Sequence, residues 1–180
     1  MKKVNSIYHI LLADDDADHA ALFERILTRE YPEVKLSFVN DGLQALQFLR
    51  LNQVDLLFLD LNMPCKNGYE CMQEIKKDPS LQHLPVIVYS SSAHMSDIQK
   101  SFILKADFYM VKPFSTEHLK TALKMILSIN WSDPPAHPHY FIRKGSYRFR
   151  SREKLRYGSR YMQLGPRNDV RAWVYSGSRM

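Results

Sequence analysis

The stretch Val54-Asp55-Leu56-Leu57-Phe58-Leu59-Asp60-Leu61-Asn62-Met63-Pro64 decides the fold of this 180-residue chain. An apolar run of strand length ends at a single carboxylate, Asp60, and a loop with a proline follows it. Because the run is apolar at almost every position, it favours a strand that is buried on both faces, as in a parallel sheet covered by helices. The stretch therefore predicts an α/β fold with a chemically active side chain at a strand end.

Four further apolar runs lie on either side of this stretch, and amphipathic patterns separate them. The predicted strands are residues 7–13, 34–39, 54–59, 84–89 and 107–111. The clearest helical spacing is that of Leu119, Ala122, Leu123, Ile126 and Leu127. We expect Asp97 to open the fourth helix and Ser115 or Thr116 to cap the fifth. Strict alternation over five strand–helix units predicts a parallel sheet with helices on both faces.

Polar side chains follow four of the predicted strands. They are Asp14-Asp15-Asp16, Asp60, Ser90 and Lys112-Pro113. The carboxyl ends of parallel strands converge on one edge of an open sheet, where ligands bind. We therefore expect carboxylates, a hydroxyl and an ammonium group to meet at that edge.

This set of side chains suits phosphoryl transfer to an aspartate. An acceptor carboxylate such as Asp60 must receive a dianion without repelling it, and the charge of the transferring group must be neutralised. Mg²⁺, held by carboxylates such as Asp14 and Asp15, meets both needs. Lys112 supplies a fixed positive charge and Ser90 a hydroxyl donor. Phosphoryl transfer depends mostly on positioning and charge stabilisation, so these groups suffice.

These segments, in this order and spacing, resemble the receiver domain of two-component response regulators. The resemblance covers about residues 5–130 and is closest to stand-alone receivers of the chemotaxis-regulator type. The segments that carry it are Ile10-Leu11-Leu12-Ala13-Asp14-Asp15-Asp16, Leu59-Asp60-Leu61-Asn62-Met63-Pro64 with Gly68, Pro85-Val86-Ile87-Val88-Tyr89-Ser90-Ser91, and Tyr109-Met110-Val111-Lys112-Pro113-Phe114.

The resemblance implies a flavodoxin-like, doubly wound, five-stranded parallel sheet in the order 2-1-3-4-5. It implies that Asp60 takes a phosphoryl group from a histidine kinase or a phosphotransfer protein, in a phosphorelay. Mg²⁺ would be held by Asp15, Asp60 and the backbone carbonyl of Asn62, with Asp14 acting through water. Such a protein is not an enzyme with a separate substrate, since it would catalyse only its own phosphorylation and dephosphorylation.

The resemblance also implies a switch. Ser90 would move towards the phosphoryl group, and Tyr109 would rotate inward into the space that this releases. The face formed by the fourth helix, fifth strand and fifth helix would then change its preference for a downstream protein. Lys112 would serve in catalysis beside Asp60 and Ser90, and the Lys112–Pro113 peptide bond is expected to be cis.

The last fifty residues differ from the rest of the chain in charge and in sequence pattern. Residues 131–180 hold eleven Lys or Arg and three Asp or Glu, a net charge of +8, whereas the residues before them carry −2. A proline-rich linker leads into stretches such as Tyr147-Arg148-Phe149-Arg150, and we find no helical period there. We therefore expect a receiver domain over 5–130 and a basic tail over 131–180 that is disordered or weakly structured.

Other functions stay open at this stage. A Mg²⁺-dependent phosphatase that uses Asp60 as its nucleophile is one, although Asn62 stands where a general acid would be needed. A nucleic-acid-binding regulator is another, since arginines and aromatic residues in the tail fit a phosphate backbone and bases. A receiver that binds partners without phosphorylation is a third. No apolar run approaches membrane-spanning length and no secretory signal precedes the first strand, so we expect a cytoplasmic protein without membrane association.

Overall fold

The described part of the chain is built from five strand–helix units. A computed structural model describes residues 7–113 and 115–131 with their side chains, and the strand backbone of 139–143, 147–151, 161–164 and 170–173. The units comprise β1 (His9–Ala13), α1 (Ala17–Glu30), β2 (Lys35–Val39), α2 (Gly42–Leu51), β3 (Leu56–Leu59), α3 (Gly68–Lys77), β4 (Val86–Ser90), α4 (Met95–Ile103), β5 (Phe108–Val111) and α5 (Thr116–Leu127). The strands begin up to two residues later than the sequence pattern predicts.

The five strands form a parallel sheet in the order β2-β1-β3-β4-β5, which confirms the predicted topology. β1 lies between β2 and β3, so the chain changes direction across the sheet after its second strand. In a sheet wound this way, the carboxyl ends of β1 and β3 flank the crevice where ligands bind. Asp14 and Asp60 follow these two strands directly.

Two apolar cores lie on opposite faces of the sheet. Alternate residues of β3 divide between them: Leu57 and Leu59 pack with the buried residues of α2, α3 and α4, whereas Leu56 and Phe58 pack with those of α1 and α5. All four residues of β3 are buried, as the apolar run predicts. β2 is an edge strand and exposes part of its surface, which the pattern did not anticipate.

Side-chain caps fix four of the five helix starts. The N-cap residues that accept backbone hydrogen bonds are Asp16 on α1, Asp41 on α2, Asn67 on α3 and Ser115 on α5. The prediction for α4 is wrong by two residues, since that helix begins at Met95 and not at Asp97. The carbonyl of His94 accepts hydrogen bonds from the amides of Asp97 and Ile98, so the first turn closes ahead of the expected start.

Four short strands lie in the basic tail and continue the sheet beyond β5. They are β6 (His139–Arg143), β7 (Tyr147–Ser151), β8 (Tyr161–Leu164) and β9 (Val170–Trp173). β6 pairs with β5 in parallel, and the later pairs are antiparallel. The alternation of aromatic and arginine residues at 147–150 has the period of a strand. The expectation of a disordered or weakly structured tail over 131–180 stays a prediction. Residues 1–6, Phe114 and the parts of the tail after Trp131 that lie between and beyond these strands are outside the described residues.

None of the helices within the described ranges combines the length and apolar character that crossing a bilayer requires.

Candidate functional site

Asp60 lies at the carboxyl end of β3 with only 4 % of its surface exposed. Its backbone amide donates to the carbonyl of Ala13, 2.8 Å away, and so joins the ends of β3 and β1. Its Oδ1 accepts hydrogen bonds from the amides of Leu61 at 2.6 Å and Asn62 at 3.4 Å. Its Oδ2 accepts one from the Nζ of Lys112 at 2.8 Å. The carboxylate is therefore held in one orientation by groups on two segments of the chain.

Lys112 bridges two buried carboxylates. Its Nζ lies 2.8 Å from Asp60 Oδ2 and 2.9 Å from both oxygens of Asp14. Burial alone would lower the pKa of Lys112, but hydrogen bonds to Asp60 and Asp14 outweigh it and raise the pKa above its usual value. Its amide donates to the carbonyl of Ser90 at 2.8 Å, which fixes the backbone beside β4. The site thus contains a permanent positive charge.

Three carboxylates gather at this edge of the sheet. Oxygens of Asp14, Asp15 and Asp60 lie within 4.8 Å of one another; Asp14 is buried and Asp15 is exposed. Burial raises the pKa of Asp14, although Lys112 opposes the shift. Asp14 Oδ2 is close to the ammonium group but lies outside hydrogen-bonding geometry and accepts no hydrogen bond. Clustered carboxylates, one of them with an oxygen that accepts no hydrogen bond, fit a hard divalent cation.

Ser90 and Tyr109 both lie in the core beside this cluster, with none of their surface exposed. Ser90 Oγ accepts a hydrogen bond from the amide of Ser92 at 3.3 Å. The hydroxyl of Tyr109 donates to the carbonyl of Ser92 at 3.0 Å. Burial, together with the nearby charge of Asp97, raises the pKa of Tyr109. Tyr109 is therefore a buried, hydrogen-bonded residue in this structure.

The expectation of a cis bond before Pro113 is wrong for this structure. Within the described residues every peptide bond is trans, and Lys112–Pro113 is among them. The trans form is the intrinsically favoured one for a bond that precedes proline.

The sequence model of the response regulator receiver domain family matches residues 10–124, well over half of the chain. The chain belongs to this family. The match ends before the basic tail, so the tail lies outside the receiver domain as the family defines it.

Several proteins that are similar to this receiver domain are themselves response regulators. The response regulator Rcp1 of Synechocystis sp. is 32 % identical over 127 residues, which is 67 % of this chain and 84 % of that protein. The structure of the phosphorylated cyanobacterial phytochrome response regulator RcpA is 31 % identical with a TM-score of 0.65, and the match covers 73 % of this chain and all of that one. The Mn²⁺-bound form of Rcp1 is 28 % identical with a TM-score of 0.64, covering 72 % and 99 %. The receiver domain therefore shares both sequence and fold with two-component response regulators.

The loop behind Asp60 depends on Gly68, the first residue of α3. A Cβ at Gly68 would stand 2.1 Å from the carbonyl oxygen of Asp60. The amide of Gly68 donates to the carbonyl of Leu61 at 3.0 Å. This close approach explains the glycine eight residues after Asp60, which the sequence analysis identifies from the family pattern alone.

One group of polar residues beside the site was not singled out by sequence reasoning. Asp97 on α4 accepts hydrogen bonds from the hydroxyls of Tyr69 on α3 and Ser92 in the loop between β4 and α4. No short-range pattern connects residues that are 28 positions apart, such as Tyr69 and Asp97. Only the packing of α3 beside α4 brings them together, so no signal in a single sequence would have revealed this group.

Proposed function

We propose that Asp60 is the phosphoacceptor of this receiver domain in a two-component phosphorelay. The observation that carries the proposal is the buried Asp60 carboxylate, hydrogen-bonded to Lys112 at 2.8 Å and adjoining the carboxylates of Asp14 and Asp15. The donor is a histidine kinase or a phosphotransfer protein. A carboxylate oxygen of Asp60 attacks the phosphorus of a phosphohistidine, the phosphorus–nitrogen bond breaks, and the histidine leaves with its electron pair.

Each side chain around Asp60 has a separate role in the phosphoryl transfer. Lys112 stays protonated, so its ammonium group balances the charge that gathers on the phosphoryl oxygens. Asp15, Asp60 and the carbonyl of Asn62 would hold Mg²⁺, with Asp14 assisting through water. The bound ion supplies charge neutralisation between the carboxylates and the phosphoryl group. Ser90 donates its hydroxyl to a phosphoryl oxygen, which orients the group after transfer.

The switch that follows uses the residues around β4 and β5. Ser90 and Tyr109 both bond to Ser92, one through its amide and the other through its carbonyl. After phosphorylation, Ser90 donates a hydrogen bond to the phosphoryl group, and this holds Tyr109 in the buried position. The face of α4, β5 and α5 then presents one conformation to a downstream protein. A group with about two negative charges is enough to bias such an equilibrium.

Mass spectrometry of the intact protein tests the acceptor directly. The full chain is incubated with Mg²⁺ and acetyl phosphate, and we expect a mass gain of one phosphoryl group that is stable in acid and labile in base. Asp60→Asn should show no gain. Asp41→Asn is the matched control, because Asp41 is also a buried aspartate, but its carboxylate caps α2 through Gln44. An unmodified wild type, or equal modification of Asp60→Asn, would refute the proposal.

A further inference from the structure

A polar network joins α3, α4 and the loop that follows β4. The hydroxyl of Tyr69 donates to Asp97 Oδ1 at 3.0 Å, and the hydroxyl of Ser92 donates to Asp97 Oδ2. Lys100 lies 3.8 Å from the centre of the Tyr69 ring and contacts its face. Asp97 therefore binds two elements besides its own helix, and all three residues of the network core, Tyr69, Ser92 and Asp97, are partly buried.

Ser92 connects this network to the proposed phosphorylation site. Its side chain is held by Asp97, while its amide donates to Ser90 Oγ at 3.3 Å. A serine hydroxyl has one hydrogen to donate and two lone pairs to accept with. The amide of Ser92 occupies an acceptor position on Ser90, and the Ser90 hydroxyl also interacts with the hydroxyl of Tyr109.

We propose that Asp97 is a positioning residue for the hydroxyl of Ser90, acting through Ser92. By fixing the Ser92 side chain, Asp97 fixes the amide that orients Ser90, so that less ordering remains when Ser90 donates to a phosphoryl oxygen. This inference rests on the proposed function of Asp60. The inference adds Asp97 to the proposed mechanism as a residue that touches neither the phosphoryl group nor the acidic cluster.

An ordinary role at the start of a helix does not account for these contacts. An acidic side chain in the first turn of a helix is stabilised by the helix dipole, and it can also accept a hydrogen bond from the N-cap amide, as Glu70 does on α3. Glu117 lies in the first turn of α5, and its side chain is 80 % exposed and pairs with Lys120, 3.4 Å away. Asp97 also lies in the first turn of its helix, as the third residue of α4 where Glu117 is the second of α5, yet both of its carboxylate oxygens bond to groups outside that helix.

Initial rates of phosphorylation of the full chain by acetyl phosphate provide the test. We expect Asp97→Ala to lower the rate between about twofold and tenfold, the range expected for one positioning hydrogen bond. The matched control Glu117→Ala should leave the rate unchanged. Calorimetry should give Asp97→Ala the same Mg²⁺ affinity as wild type, since Asp97 is not part of the acidic cluster.

A double-mutant cycle separates positioning from a general structural role. In a Ser90→Ala background, Asp97→Ala should have no further effect on the rate, because the hydroxyl that it positions is gone. An equal loss in both backgrounds would overturn the inference. Tyr69→Phe keeps the ring and removes one bond to Asp97, and it serves as the test if Asp97→Ala fails to fold; a wild-type rate for Tyr69→Phe would then overturn the inference.

The two proposals fail in different ways. Wild type that takes up no phosphoryl group refutes the acceptor role of Asp60 and this inference with it. Wild type that is phosphorylated normally, together with equal rates for Asp97→Ala and Glu117→Ala, refutes the inference alone.

Discussion

Gly68 has no side chain at a point where the backbone of the phosphoacceptor loop passes almost in contact with the start of α3. A Cβ there would lie 2.1 Å from the Asp60 carbonyl oxygen and 2.9 Å from the Leu61 α-carbon, both of which are backbone atoms. Backbone cannot yield as a flexible side chain can, so any substitution must displace the loop or the helix.

We predict that Gly68→Ala destabilises the receiver domain by about 1–3 kcal/mol, the usual cost of overpacking. Helix propensity alone predicts the opposite sign, since alanine is favoured over glycine in a helix by up to about 1 kcal/mol. Urea unfolding of both proteins gives the difference in the free energy of unfolding. The displaced loop carries Asp60, so the rate of phosphorylation should fall as well.

Ala17→Gly is the reciprocal control for this prediction. Ala17 is also the first residue of its helix, α1, and it is exposed. Loss of its methyl group should cost no more than the propensity difference, up to about 1 kcal/mol. A Gly68→Ala protein as stable as wild type would show that the loop can move freely away from α3.

At the residue scale, sequence predicts which side chains meet but not how they bond. The convergence of strand ends places Asp14, Asp60, Ser90 and Lys112 together before any coordinates are known. The sequence does not show that Lys112 bonds to both Asp14 and Asp60. Lys112 and Asp14 are 98 positions apart and meet only in the folded sheet. The cis bond expected before Pro113 came from the family resemblance, whereas the intrinsic preference of about 1 kcal/mol favours the trans bond that the structure has.

At the element scale, α1 begins with a charged cap next to the acidic cluster. Asp16 Oδ1 accepts hydrogen bonds from the amides of Asp18 at 2.9 Å and His19 at 3.2 Å. The hydrogen bond from the His19 amide is the main cause that lowers the pKa of Asp16 below its usual value. The charged carboxylate of Asp16 therefore stabilises the folded state at any pH above the usual pKa of an aspartate. This stabilisation is lost as the pH falls through the lowered pKa of the folded state.

We predict that Asp16→Asn, which keeps the capping oxygen and removes the charge, is less stable than wild type by about 0.3–1 kcal/mol near pH 6. The difference should shrink as the pH falls through the lowered pKa of Asp16, because the protonated aspartate is then a neutral cap like asparagine. Urea unfolding with a chelator at each pH gives the values. The comparison is repeated with His19→Gln, because His19 Nδ1 lies 3.2 Å from Asp16 Oδ2. A difference that does not change with pH would contradict the assigned cause.

Helix starts were predictable where a side chain marks them. Ser115 caps α5 as expected, because its hydroxyl accepts from the amide of His118. The start of α4 was missed since its N-cap residue, His94, makes no side-chain capping bond and so leaves no chemical mark in the sequence. The strands of the tail carry arginine where apolar residues would stand, which hides the period of two that predicts a strand.

At the scale of the whole molecule, folding brings negative charge together at one edge of the sheet. Asp14 and Asp60 are buried with a single ammonium group, Lys112, between them, and Asp15 adds a third carboxylate within 4.8 Å. The unfolded chain separates Asp60 from Asp14 and Asp15, so the repulsion between Asp60 and these two carboxylates is a cost that the folded state bears. A divalent cation that binds the cluster therefore binds the folded state and has little affinity for the unfolded one.

We predict that Mg²⁺ raises the melting temperature of the full chain and that a chelator reverses the rise. A ligand at a hundred times its dissociation constant stabilises by about 2.7 kcal/mol, which corresponds to several degrees for a protein of this size. Asp15→Asn removes one ligand and should reduce the rise, whereas the matched control Asp18→Asn, an exposed acid outside the cluster, should retain it. Sodium chloride at equal ionic strength separates binding from screening. An equal rise with both salts would mean that the carboxylates are screened and hold no ion.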